Sequence, residues 1–222
     1  MVHTVPLLST VPLPRPPRDP DETARRWYED GLGWATVPGK PLRLVTGVRF
    51  DVLEVPAEAG SAALRHLGPL SPVALHGDRM RLLVAAGSAD ELPGLLDWLE
   101  WRSLAVDLTA IGAGGHIEAP LPPGRAPAAG SPGSGFPGPA VAPLPPAGAV
   151  RPLSPDLTGS QGAAVWLRPP EPGSDIELLL PTLSAMGGVG GAPDLVRLVD
   201  TMATQCHRVR LRRACAQALA FS

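Results

Sequence analysis

The sequence predicts an α+β fold: a mixed or antiparallel central sheet packed with helices, interrupted by a long Pro/Gly-rich insertion and followed by a C-terminal helix. Three observations carry this. Apolar β-branched runs on either side of His76-Gly77-Asp78 read as two strands joined by a tight turn. Over residues 120–160, which are dominated by Pro, Gly, Ala and Ser, no hydrophobic period survives. Near the end, Leu195, Leu198, Val199, Met202, Cys206 and Val209 recur at helical spacing.

Residues 1–18 are proline-rich, which predicts an extended segment with little order of its own. Asp19-Pro20-Asp21-Glu22 then opens a helix, with Asp19 able to cap, Pro20 suited to the first turn, and Gly31 as the stop. Residues 42–45 and 48–55 read as extended, with Thr46-Gly47 breaking them. Residues 58–67 read as a short helix. The strand pair follows at 73–75 and 80–84. Ser88-Ala89-Asp90-Glu91 has the form of a capping box, opening a helix striped by Leu92, Leu95, Leu96 and Leu99. Residues 104–108, 116–119 and 163–168 read as strands. Residues 175–184 are ambiguous, and the glycines of 187–191 read as a joint, because the Gly-Lys-Ser/Thr ending of a phosphate loop is missing. The last helix is expected from residue 193 to about 219. The predicted organisation is therefore an N-terminal segment (1–18), a domain over 19–120 and 161–222, and a disordered insertion over 121–160.

A chain of 222 residues can bury a core without a metal or disulfide staple. Its net charge of −2 gives no global attraction to a polyanion, so any nucleic-acid contact must be local. Lys40 is the only lysine among the 19 basic residues, and prolines number 29, the signature of a GC-rich genome. Arginine abundance alone is therefore weak evidence for phosphate binding. Cys206 and Cys215 form no CxxC pair and read as small apolar residues. Pro6, Pro12 and Pro14 break any signal-like apolar region, and no run is long enough to span a bilayer. The expectation is a cytoplasmic protein with no membrane partner.

Two carboxylates stand out. Glu54 lies in Val48-Arg49-Phe50-Asp51-Val52-Leu53-Glu54-Val55-Pro56, and Asp107 in Ala105-Val106-Asp107-Leu108-Thr109, ahead of Gly114-Gly115 and Ala119-Pro120. With Arg25-Arg26-Trp27-Tyr28, Thr46-Gly47 and Ala164-Val165-Trp166-Leu167, these segments run in an order that resembles the N-terminal domain of bifunctional DNA primase/polymerases, the prim-pol group of the archaeo-eukaryotic primase superfamily. The resemblance covers roughly residues 20–170. It implies a primase-palm, RRM-like sheet whose acids hold divalent metal for nucleotidyl transfer.

The match is incomplete where the chemistry lies. The family places two acids two residues apart on one strand face; here the positions hold Glu54 and Pro56. Asp51 alternates to the opposite face. Gly77-Asp78-Arg79-Met80 stands where the family carries a phosphate-contacting histidine after its glycines, and Thr109 where it carries arginine. His76 precedes the turn and is expected to point elsewhere.

The resemblance therefore implies a prim-pol-like protein that has lost polymerase activity and serves as a binding or regulatory protein, with proline-rich segments available to a protein partner. One alternative is a nucleotidyl transferase with an altered site: Glu54 and Asp107 would hold Mg²⁺ or Mn²⁺, and Arg79 and Arg81 the nucleotide triphosphate. Another is DNA binding through Arg208, Arg210, Arg212 and Arg213, which otherwise form the solvated face of the last helix. Trp27, Trp98 and Trp101 read as core packing rather than a base-stacking platform.

Overall fold

The computed structural model describes residues 20–123, 163–183 and 193–218. The expected N-terminal segment, the glycine joint and all of the expected insertion after residue 123 lie outside the described residues.

The fold is α+β, with two antiparallel sheets and four α-helices among the described residues. Helix α1 (Pro20–Arg26) runs into a π turn (Trp27–Gly31). Strands β1 (Thr36–Val37), β2 (Arg43–Val45) and β7 (His116–Glu118) form a small sheet in that order. The larger sheet has the order β6-β3-β5-β4-β8, from β3 (Phe50–Pro56), β4 (Val73–His76), β5 (Arg79–Ala85), β6 (Thr109–Ile111) and β8 (Val165–Arg168). Helices α2 (Ala57–Ala63), α3 (Ser88–Trp98) and α4 (Leu195–Ala218) complete the fold.

Strand alternation explains how the layers assemble. Leu53 and Val55 of β3 share a face with Met80, Leu82 and Val84 of β5, and this face is buried under α2, α3 and α4 in one cluster. The six apolar residues expected along α4 are all buried there. Phe50 and Val52 alternate to the other face, where they join Leu83, Tyr28, Trp34, Leu44 and Ile117 beneath the small sheet. Trp34 packs on Phe50 with ring centroids 4.5 Å apart. Buried Tyr28 donates to Pro120 O at 2.5 Å and accepts from Trp166 Nε1 at 3.0 Å. These bonds tie the π turn to the start of the 120s and to β8. Burial pushes the Tyr28 hydroxyl pKa far up, partly offset by the bond from Trp166, so the phenol stays protonated.

Several local expectations change. The strand expected over 104–108 is displaced to β6, because only Thr109, Ala110 and Ile111 reach hydrogen-bonding register with Glu54, Leu53 and Val52. The capping box does not form. Gly87, left-handed at φ +90°, occupies the N-cap of α3, and Ala89 N donates to the Asp51 carboxylate at 2.9 Å instead. The cap is thus supplied by a neighbouring strand. Asp194 caps α4 in the ordinary way, accepting from Val196 N at 2.8 Å. Trp98 is 71% exposed and is not a core residue, and Cys215 is exposed while Cys206 is buried. The two cysteines differ because α4 rises beyond the sheet it covers: every described side chain over 210–215 is exposed.

Candidate functional site

The face of the large sheet that carries Phe50 and Val52 changes character along its length. At one end it is apolar and covered; at the other, Glu54 follows Val52 and Arg81 follows Leu83 in the same pleat. Glu54 and Arg81 are direct cross-strand partners, as are Pro56 and Arg79, His76 and Arg79, and Glu54 and Thr109. Four strands therefore end their polar residues on one patch.

A continuous ionic chain crosses this patch. Arg79 Nη1 donates to Asp107 Oδ1 at 2.7 Å, and its Nε to Glu54 Oε1 at 3.3 Å. Arg81 Nε donates to the other Glu54 oxygen at 2.7 Å. Arg81 Nη2 donates to His76 Nδ1 at 3.1 Å, and His76 Nε2 faces Glu118 Oε2 at 3.4 Å. Because a guanidinium only donates, His76 Nδ1 must accept, which leaves Nε2–H to point at Glu118. Glu118 also accepts from Ala164 N at 3.2 Å, so the chain links both sheets and the strand β8 segment.

Glu54 and Asp107 are thus bridged by one guanidinium, that of Arg79. Burial works against the Arg79 charge; the hydrogen bond and charge of Asp107, with the charge of Glu54, outweigh it and hold its pKa above the ordinary value. Arg81 is 8% exposed, and its Nη1 has no partner among the described residues. Asp51 lies on the helix-side face, as alternation predicts, and caps α3.

Met80 faces the helix-side core, packed on Gly60, where an added Cβ would lie 2.5 Å from Met80 Sδ. A histidine at position 80 would enter that core rather than the cleft. His76, expected to point away, is the histidine that joins the patch. The signal was in the hairpin: a turn at Gly77-Asp78 pairs His76 with Arg79, and paired residues share a face. Glu118 was not anticipated, because it reaches the patch from the other sheet.

The donors here do not fit a two-metal clamp. Pro56 offers no ligand, both carboxylates are held by arginine, and among the described residues no three His, Cys, Asp or Glu side chains group to hold a metal.

Of the helix arginines, Arg212 pairs with Glu58 at 2.6 Å and Arg210 Nη1 donates to Ala105 O at 2.8 Å. Arg210 and Arg213 line an open cleft of about 310 Å³ together with Pro56, Asp107, Val209 and buried Cys206. Burial pushes the Cys206 thiol up to about 11, with Asp107 adding to the effect. The expected arginine set is therefore split: Arg210 and Arg213 meet Asp107, whereas Arg212 is taken up by Glu58 and Arg208 is outside the cleft lining.

No family model, curated protein or solved structure matches this chain. Among the described residues no helix is long and apolar enough to cross a membrane.

Proposed function

We propose that this chain is a non-catalytic binding protein on a primase-palm-like sheet, in which arginine side chains stand where a working nucleotidyl transferase keeps divalent metal. The observation that carries the reading is Arg79, which bonds to both surviving acids at 2.7 and 3.3 Å. A metal competing for Glu54 and Asp107 would have to displace that guanidinium and leave it charged beside a cation. The part-buried pair of Arg81 and Glu54 adds to the barrier, since separating it leaves the buried Arg81 charge uncompensated. Transition-state stabilisation in nucleotidyl transfer comes from metals clamping the attacking and leaving oxygens. Here the cationic groups are tethered side chains already paired with the acids, which suits recognition better than turnover. A protein partner for the proline-rich segments, and a cytoplasmic location, belong to the same proposal.

The test is chain extension on a primed template with nucleotides and Mg²⁺ or Mn²⁺. No product is expected. Extension that disappears in Glu54→Ala or Asp107→Ala would instead establish the nucleotidyl transferase.

A further inference from the structure

We infer that the cleft between α4 and Asp107 binds a phosphate group, and does so without metal. Its lining sets the chemistry. Arg210 and Arg213 are one helical turn apart and project from the same face of α4. Opposite them stands Asp107, whose charge is already matched by Arg79 at 2.7 Å. The two helix arginines are therefore surplus positive charge over the local acids. Arg210 is fixed by its bond to Ala105 O at 2.8 Å, which uses one of its five donors. Arg213 has no hydrogen-bond or ion-pair partner among the described residues, so its whole fork is available. Two planar guanidinium groups offer the multiple parallel donors that a phosphate dianion accepts and a single carboxylate would not saturate.

The rest of the wall is apolar, from Pro56, Val209 and Ala214, and about 310 Å³ is room for a compact phosphorylated molecule. The site owes nothing to the helix dipole. These arginines lie in the later half of α4, where the dipole favours cations and opposes anions, so the side chains must supply the attraction themselves. The phosphate could belong to a free nucleotide or to a nucleic-acid backbone; the chemistry at the cleft is the same.

The inference rests on the reading of this chain as a binding protein, and the two fail differently. The full chain is titrated calorimetrically with ATP in EDTA, and separately with a short single-stranded oligonucleotide. Binding of ATP identifies a free nucleotide as the source. Binding of the oligonucleotide alone, weakening steeply with salt, identifies a backbone phosphate. In either case Arg213→Gln, which disturbs no described contact, should weaken binding about tenfold, the scale of one charge-assisted contact. Asp107→Asn should raise metal-free affinity, by removing a negative wall. A metal-bridged nucleotide site would instead show no binding of ATP in EDTA even in the parent. The phosphate site is overturned if neither probe binds, if the Arg210→Gln/Arg213→Gln double variant binds as well as the parent, or if Asp107→Asn abolishes binding. Chain extension would sink the non-catalytic reading while leaving these affinities where they are.

Discussion

Arg81 is the hinge of the ionic chain, with side-chain exposure of 9% against 18% for Glu54. Removing Glu54 strands the buried Arg81 charge, whose other contact is the acceptor His76 Nδ1, whereas Glu54 keeps Arg79 when Arg81 is removed. Glu54→Ala should cost about 3–5 kcal/mol by urea denaturation, and Arg81→Met with Glu54→Leu should cost much less, because no lone charge remains. Equal losses in the two variants would mean that packing rather than charge dominates. Surface pairs such as Arg25 with Glu29 should contribute far less. The two cysteines give a second prediction. Cys206 is buried, which pushes its thiol up to about 11, whereas Cys215 is exposed. A disulfide reagent at neutral pH should modify one thiol quickly and the second only on unfolding. Rapid modification of both would contradict the packing of α4. At this scale the sequence was read correctly where strand alternation decided the outcome, as for Asp51. It was misread at His76, because position before a turn was taken to override pairing across it.

At the scale of elements, close approaches decide more than propensity. Gly47 sits at φ +86°, and a Cβ there would lie 2.2 Å from Ala113 Cα, a backbone atom that cannot swing aside. Gly47→Ala therefore combines left-handed strain with a backbone clash. It should lower stability by more than the about 1 kcal/mol typical of point changes. A near-neutral effect, followed by urea midpoint, would mean that the 112–115 loop is free to move off the Thr46-Gly47 turn. The amphipathic elements were legible: the buried stripe of α4 follows directly from its 3.6-residue period. The displaced strand β6 was not. Residues 104–108 have the composition of a strand, but pairing to β3 is fixed by where the chain returns to it, which is tertiary information. The same holds for α3, whose cap comes from Asp51, distant in sequence. Likewise, nothing local marks Glu118 as a neighbour of His76.

The whole molecule is held by ties between distant segments, and one of them titrates. His66, at the end of the turn after α2, hydrogen-bonds Thr201 of α4 at 2.9 Å. Burial, with the neighbouring charges of Arg65 and Arg197, holds its pKa below the ordinary histidine value, against a smaller pull from Asp194. The folded state therefore binds fewer protons at His66 than the unfolded chain does. Its contribution is fully present above the unfolded value, about 6.5, and is lost as pH falls through the folded value. Comparing Tm against pH for the parent and His66→Gln, the parent should lose its advantage on acidification. An advantage that grew on acidification would reverse the sign and contradict the assignment. The candidate site is likewise a property of the whole: five strands and two sheets converge on the patch around Arg79. The sequence could nominate Glu54, Asp107, Arg79 and Arg81 separately, but not that two of these are the counterions of the other two.

The central claim is that Arg79 already occupies the place between Glu54 and Asp107 that a divalent ion would need. Titrating the protein with Mn²⁺ and following the free-ion signal by electron paramagnetic resonance tests it most directly. The account predicts that neither Glu54→Ala nor Asp107→Ala changes the titration. Saturable Mn²⁺ uptake by the parent that is lost in both variants would contradict it.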